Sequence, residues 1–263
     1  MNDLAAVERD LVEFLAVKAS ADTERIEELY CRTKRRFDFR SAGFRDLLLN
    51  TIPDLFACLI PGTDDAALFA RYRLVQLPYL YRMVSYEVQE RRAGRSLADQ
   101  VGRPEEIASW SPHYRQGVEG MWLLDYGCGT ASRSFDFARR HGVNVILVDL
   151  DTMGLEFAAW RMHKHGINCR TVAVTPEIPH PVLPPCDLAA LFNAIEHVRK
   201  PATVLENIHQ ALPAGGCLKI NNIRHQQQVE WQHLTPDMKE ARAWLAAHVE
   251  QVSPTVFRKK PDG

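Results

Sequence analysis

The chain has 263 residues, 46% hydrophobic and 25% charged, within the range of folded globular proteins. A formal net charge of −1 supplies no field to gather nucleic acid or an anionic membrane, so neither is expected as a partner. Its 6 cysteines form no CxxC pair and stand at no zinc spacing, and most lie in apolar runs where cysteine serves as a small hydrophobe.

The start, MNDLAAVERD, lacks a charged-then-apolar leader pattern, and no apolar run reaches the roughly 18 residues of a membrane span. A reduced, cytoplasmic setting is therefore expected. Up to about residue 118 the periodicity is helical. Leu4, Val7, Leu11, Phe14 and Leu15 recur at spacings of three and four, and Ile26, Leu29 and Tyr30 begin a second stripe. Phe44, Leu47 and Leu48 suggest a third. Ala66–Gln76 reads as a helix broken at Pro78, with a further segment running to Glu90. Gly94, Gly102 and Pro104 mark a loop, and Pro104 with two acids opens a short helix.

From residue 119 the pattern changes. Short apolar runs, Trp122–Asp125, Val143–Asp149, Cys169–Val174, Asp187–Phe192 and Cys217–Asn221, alternate with the helical stretches Arg133–His141, Met153–His165 and Ala202–Leu212. Such alternation predicts an α/β, doubly wound parallel sheet, with the strand carboxyl ends along one edge where ligands bind. A helix over Met238–His248, opened by Leu234–Asp237, and two short strands, Val249–Val252 and Thr255–Lys259, complete the reading. The expected division is 1–118, a helical cap or lid, and 119–263, the core.

The chemistry concentrates in MWLLDYGCGTAS, residues 121–132. A strand ends at Asp125, turns through Gly127 and Gly129, and enters a helix; these glycines allow positive φ and close backbone approach to a ligand. Asp149 closes the next strand, where an acid takes ribose hydroxyls. The dinucleotide fingerprint needs a third glycine, but Ser132 stands there, and no Gly-Lys-Ser/Thr phosphate loop follows.

With these residues the chain resembles the class I S-adenosylmethionine (SAM)-dependent methyltransferases. LDYGCGT from Leu124 looks like that family's first motif and Asp149 like its ribose acid. CDLAALFNAIEHV, from Cys186 to Val198, resembles its fourth-strand motif, and LPAGG from Leu212 its turn before strand five. The resemblance covers residues 121–222. It implies a seven-stranded, mostly parallel sheet with SAM as cofactor. Asp125, Gly127, Cys128, Gly129 and Thr130 would line the methionine end, Asp149 the ribose and Leu150 the adenine, with Phe192 and Asn193 near the methionine. Where the family often has an acid after strand three, this chain has Thr175-Pro176, with Glu177 next.

A sulfonium makes its attached carbons electrophilic, so the protein mainly aligns a nucleophile and excludes water, with a base where the nucleophile carries a proton. Candidates for that base are His197 beside Glu196, His225 past strand five, and Tyr86. An Asn/Asp-Pro-Pro-aromatic run, usual in nucleic-acid amino-methyltransferases, is absent after strand four, which favours a small-molecule substrate. The helical half carries Tyr72, Tyr79, Tyr81, Tyr86, Trp110 and Tyr114 among Arg71, Arg73 and Arg82. Tyrosine can hold a sulfonium by cation–π attraction worth roughly 0.5–2 kcal/mol, and arginine can clamp a carboxylate. Tyr79, Tyr81 and Arg82 are the expected substrate contacts. Three functions stay open: methyl transfer to an oxygen or nitrogen of a small molecule, cyclisation of SAM itself to azetidine-2-carboxylate, and SAM binding without catalysis. Oligomeric state is not readable.

Overall fold

The computed structural model describes residues 4–36, 65–198, 200–221 and 238–260. Five helices precede the first strand among these: α1 (Ala6–Ala19), α2 (Thr23–Arg36), α3 (Asp65–Arg92), α4 (Leu97–Val101) and α5 (Pro104–Trp110). The expected helix at Phe44–Leu48, the helix start at Leu234–Asp237 and the candidate base His225 lie outside the described residues.

The core then alternates as the apolar runs require. It comprises β1 (Trp122–Tyr126), α6 (Ser132–His141), β2 (Asn144–Leu150), α7 (Met153–Lys164), β3 (Cys169–Val174), β4 (Leu188–Leu191), α8 (Pro201–Ala211), β5 (Cys217–Ile220), α9 (Met238–His248), β6 (Val249–Ser253) and β7 (Val256–Lys259). One seven-stranded sheet results, in the order β3-β2-β1-β4-β5-β7-β6. β1 to β5 pair in parallel, and β7 pairs antiparallel with both β5 and β6. The expected α/β doubly wound class is the observed one. β2 shows why its sequence does not alternate: Val145, Ile146, Leu147 and Val148 are all fully buried because helices cover both faces. Chain order reverses between β1 and β4, which opens a crevice at their carboxyl ends.

Pro78 does not break the helix. α3 runs through it for 28 residues. A proline ring costs the hydrogen bond to the carbonyl four residues back, here Leu74. Leu74 is 55% exposed, so that turn borders solvent, while Val75, Leu80 and Val84 on the other side are buried. Packing of this apolar side holds the helix across the proline.

α1, α2 and α3 meet α7 in a core of their own, including Leu11, Phe14, Tyr30, Leu80, Val84 and Phe157. Phe14 meets Phe157 edge-on with ring centroids 5.5 Å apart. A buried ionic layer reinforces this junction. Arg161 of α7 is 2% exposed and stacks 3.9 Å from the Phe135 ring centroid. Its Nη1 and Nη2 donate to Glu87 of α3 at 2.9 and 2.7 Å, and its Nε donates to Asp10 of α1 at 3.2 Å. Lys164 Nζ donates to the same Asp10 at 2.8 Å. Among the described residues no helix is long and apolar enough to cross a membrane.

Candidate active site

The glycine turn closes against two strands. Gly127 and Cys128 N–H donate to the Val148 carbonyl at 2.7 and 3.2 Å, which ties the end of β1 to β2. Gly127 has φ +72°, and a Cβ there would lie 2.4 Å from Ala194 Cβ, so only glycine fits. Gly129, at φ +54°, lies under α3, where a Cβ would meet Met83 Cε at 3.0 Å. The long helix thus roofs the turn.

Asp149 shapes the turn from the other side. Its Oδ2 accepts Gly129 N–H at 2.6 Å and its Oδ1 accepts Leu150 N–H at 2.7 Å. Each carboxylate oxygen retains acceptor capacity, so the acid can also receive the two hydroxyls of a ribose. Burial raises its carboxyl, while the Gly129 and Leu150 N–H donors oppose that rise. Burial likewise raises the Cys128 thiol well above its ordinary value, which keeps it protonated.

Asp125 is deeper, 4% exposed, and accepts the Ser134 hydroxyl at 2.6 Å. Burial pushes its carboxyl up to about 6, with Ser134 and Arg133 acting against the rise. Folding therefore favours the neutral form relative to the unfolded chain, so the contribution to stability is complete below about pH 4 and lost as pH rises through about 6. Asp125→Asn keeps an acceptor for Ser134 without the charge. It is expected to be more stable than the parent by up to about 3 kcal/mol near pH 8 and equal to it near pH 4. Urea unfolding of both proteins across that range measures this; parallel pH curves would refute it.

The next residues of the turn hang from the roof. Thr130 Oγ1 and Ser132 Oγ are 2.9 Å apart, and the Ser132 hydroxyl donates to Glu87 of α3. Between them Ala131 adopts φ +53°, a left-handed conformation that costs a non-glycine residue roughly 1–2 kcal/mol. Ala131 N–H donates to the Cys128 carbonyl at 2.7 Å and its carbonyl accepts Phe135 N–H at 2.8 Å. Glu87, Ser132 and Met83 therefore belong to the site although no motif marks them.

At the exit of β4, Phe192 is buried and Asn193 is left-handed, at φ +52°. Asn193 N–H donates to Asn221 Oδ1 at 2.6 Å, and Asn221 Nδ2 returns a bond to Asn193 Oδ1 at 2.8 Å. This reciprocal pair joins the ends of β4 and β5. His197 follows in a single 3-10 turn, Ile195–His197, half-buried beside Glu196.

The tyrosines of the helical half divide. Tyr72 and Tyr79 meet edge-on, centroids 6.4 Å apart. Burial raises both hydroxyls, and the Asp149 and Glu196 carboxylates add to it, so both stay protonated at neutral pH. Arg82 acts on Tyr79 in the opposite sense, which places it in the same group. Tyr86, 41% exposed, lines a small pocket with Asp125, Thr130, Arg133 and Phe192. Tyr81 is not brought to this group: its ring packs edge-on against Tyr30, centroids 5.4 Å apart. Trp110 and Tyr114 are buried in the sheet's core, and the Tyr114 hydroxyl donates to Asp187 O and accepts Cys217 N–H.

Comparison with known proteins agrees with this geometry. Residues 124–218 match the family model described as a methyltransferase domain. Among solved structures, the cyclase SpnF is similar at 17% identity and TM-score 0.50, over 73% of this chain and 76% of its own. A SAM-dependent methyltransferase of Aquifex aeolicus is 15% identical at TM-score 0.39, covering 60% of this chain and 96% of its own. One from Thiobacillus denitrificans, in complex with S-adenosylhomocysteine, is 24% identical at TM-score 0.35, over 45% and 48%. No curated protein matches. The strand order, the glycine turn and the matched segment agree: residues 124–218 match a methyltransferase domain, set in a sheet of the fold that SpnF shares.

Proposed function

We propose that the protein transfers the methyl group of SAM to an oxygen or nitrogen nucleophile of a small molecule. One observation carries this: two acids, Asp125 and Asp149, stand at the ends of adjacent strands and flank a glycine turn that admits no side chain at Gly127. Asp149 would take the ribose, Leu150 the adenine, and Asp125 with residues 127–130 the amino-acid end. When bound, SAM supplies a methyl carbon already activated by its sulfonium. Residues of this chain then have to orient an acceptor, exclude water and receive a proton. Tyr79 and Arg82 form the proposed acceptor side. His197 and Tyr86 are the proposed proton acceptors within the described residues. The division into a helical cap, 1–118, and a core, 119–263, belongs to the same proposal, with α3 as the roof.

A second reading is favoured by the close approach of Met83 to Gly129, which roofs the turn. There the ligand is itself the substrate: its amine attacks its own γ-carbon, the carbon–sulfur bond breaks, and methylthioadenosine leaves as the amine loses a proton. Product analysis separates the two. S-adenosylhomocysteine formed only with an added acceptor supports methyl transfer, whereas methylthioadenosine formed from SAM alone supports cyclisation. Asp149→Ala should weaken SAM binding at least tenfold in calorimetry, on the worth of hydrogen bonds to a charged group. Unchanged affinity would overturn the assignment of this site.

A further inference from the structure

Asn221 stands directly after β5, just beyond the segment that matches the methyltransferase domain. Leu191 and Ile220 form the last paired rung of β4 and β5, and Asn221 N–H still reaches the Leu191 carbonyl at 3.2 Å. One step further the Asn221 side chain serves in place of the main chain. Its Oδ1 accepts Asn193 N–H at 2.6 Å, and its Nδ2 donates to Asn193 Oδ1 at 2.8 Å. A main-chain N–H can only donate, so the atom facing it must be an oxygen. That fixes the orientation of the Asn221 amide, and with it the orientation of the Asn193 amide. The pair is a clamp with one polarity.

What the clamp grips is strained. Asn193 holds φ +52°, a left-handed backbone that asparagine adopts more readily than most residues but that glycine alone adopts without steric cost. Such a residue persists where its surroundings over-determine it, and strain of this kind gathers at functional sites. From Asn193 the chain enters Ala194, whose Cβ lies 2.4 Å from where a Cβ on Gly127 would stand. The Ala194 carbonyl also accepts His197 N–H at 2.9 Å, which closes the 3-10 turn carrying that proposed proton acceptor. The conformation of one residue thus seats the β4 exit against the glycine turn.

Resting on the SAM reading of the site, we propose that Asn221 is a positioning residue for cofactor binding. It acts through Asn193, holding it left-handed and so keeping Ala194 seated on Gly127. Without the clamp Asn193 relaxes to an ordinary backbone conformation, Ala194 leaves Gly127, and the wall of the crevice no longer fits the ligand.

Calorimetric titration of the full chain with S-adenosylhomocysteine tests this. Asn221→Leu removes both hydrogen bonds and should weaken binding roughly tenfold. Asn221→Asp should keep most of the affinity, because its carboxylate accepts Asn193 N–H and the Asn193 amide can turn its nitrogen toward the second oxygen. A double-mutant cycle separates this role from a merely structural one. Glycine takes the left-handed conformation freely, so in the Asn193→Gly background Asn221→Leu should cost little binding. Should Asn221→Leu alone fail to fold, Asn221→Ala, which truncates the amide without adding bulk, replaces it in both backgrounds. The same loss in both backgrounds overturns the proposal, as does unchanged affinity in the first. If the wild type binds neither S-adenosylhomocysteine nor SAM, the cofactor reading falls and this proposal with it. If the wild type binds and the variants match it, this proposal falls alone.

Discussion

Glu87→Ala is expected to remove about 3–5 kcal/mol of folding stability, the range for breaking a buried ion pair from one side. Glu87 is fully buried and accepts from Arg161, from Arg91 at 3.0 and 2.7 Å, and from Ser132. Burial by itself would raise its carboxyl, yet Arg161 and then Arg91 hold it below the ordinary carboxylate range. Truncation leaves Arg161, 2% exposed, with only Asp10 as an anionic partner among the described residues. Denaturant unfolding measures the loss. Should the single variant prove insoluble, the double variant Glu87→Leu/Arg161→Leu settles the point. It removes both charges and should cost less than the sum of the two single changes. Additive costs would mean the pair is not the source of the effect.

Gly127→Ala is expected to cost about 2–5 kcal/mol and to abolish SAM binding. Two penalties combine. The left-handed backbone costs an alanine roughly 1–2 kcal/mol, and overpacking adds about 1–3 kcal/mol. Ala194 Cβ would stand 2.4 Å away, well inside the separation carbons tolerate, and it belongs to the short segment after β4 that carries Phe192 and Asn193. Gly94→Ala is the matched control, since Gly94 has φ +69° with nothing near its missing Cβ. Thermal or urea unfolding of the pair separates backbone strain from collision. Equal losses would show that contact with Ala194 is unimportant.

The parallel sheet was legible because short apolar runs alternate with helical stretches, and because β1 and β2 each carry an acid, Asp125 and Asp149, next to their last residue. The glycine turn was legible because both glycines hold positive φ and Gly127 leaves no room for a Cβ. The partners of the turn were not. Ser132 and Glu87 are 45 positions apart, and Arg161 and Asp10 are 151 apart. Each appears in sequence as an ordinary polar residue on a helix face, and only folding shows that the face is interior. Pro78 misled for a related reason: tertiary packing around Val75, Leu80 and Val84 outweighs the missing hydrogen bond. Tyr79 and Tyr81, two apart on α3, face different ways, one to Tyr72 and the other to Tyr30.

The junction among α1, α3 and α7 has a practical meaning for anyone trimming this chain. Phe157 and Trp160 of α7 pack into this junction, Phe157 fully buried, and their neighbours across it, Phe14 among them, come from helices that precede the matched segment. A fragment starting at residue 119 would carry those side chains on an uncovered face, the kind of surface that drives self-association. The boundary that is convenient in sequence is not a place to cut.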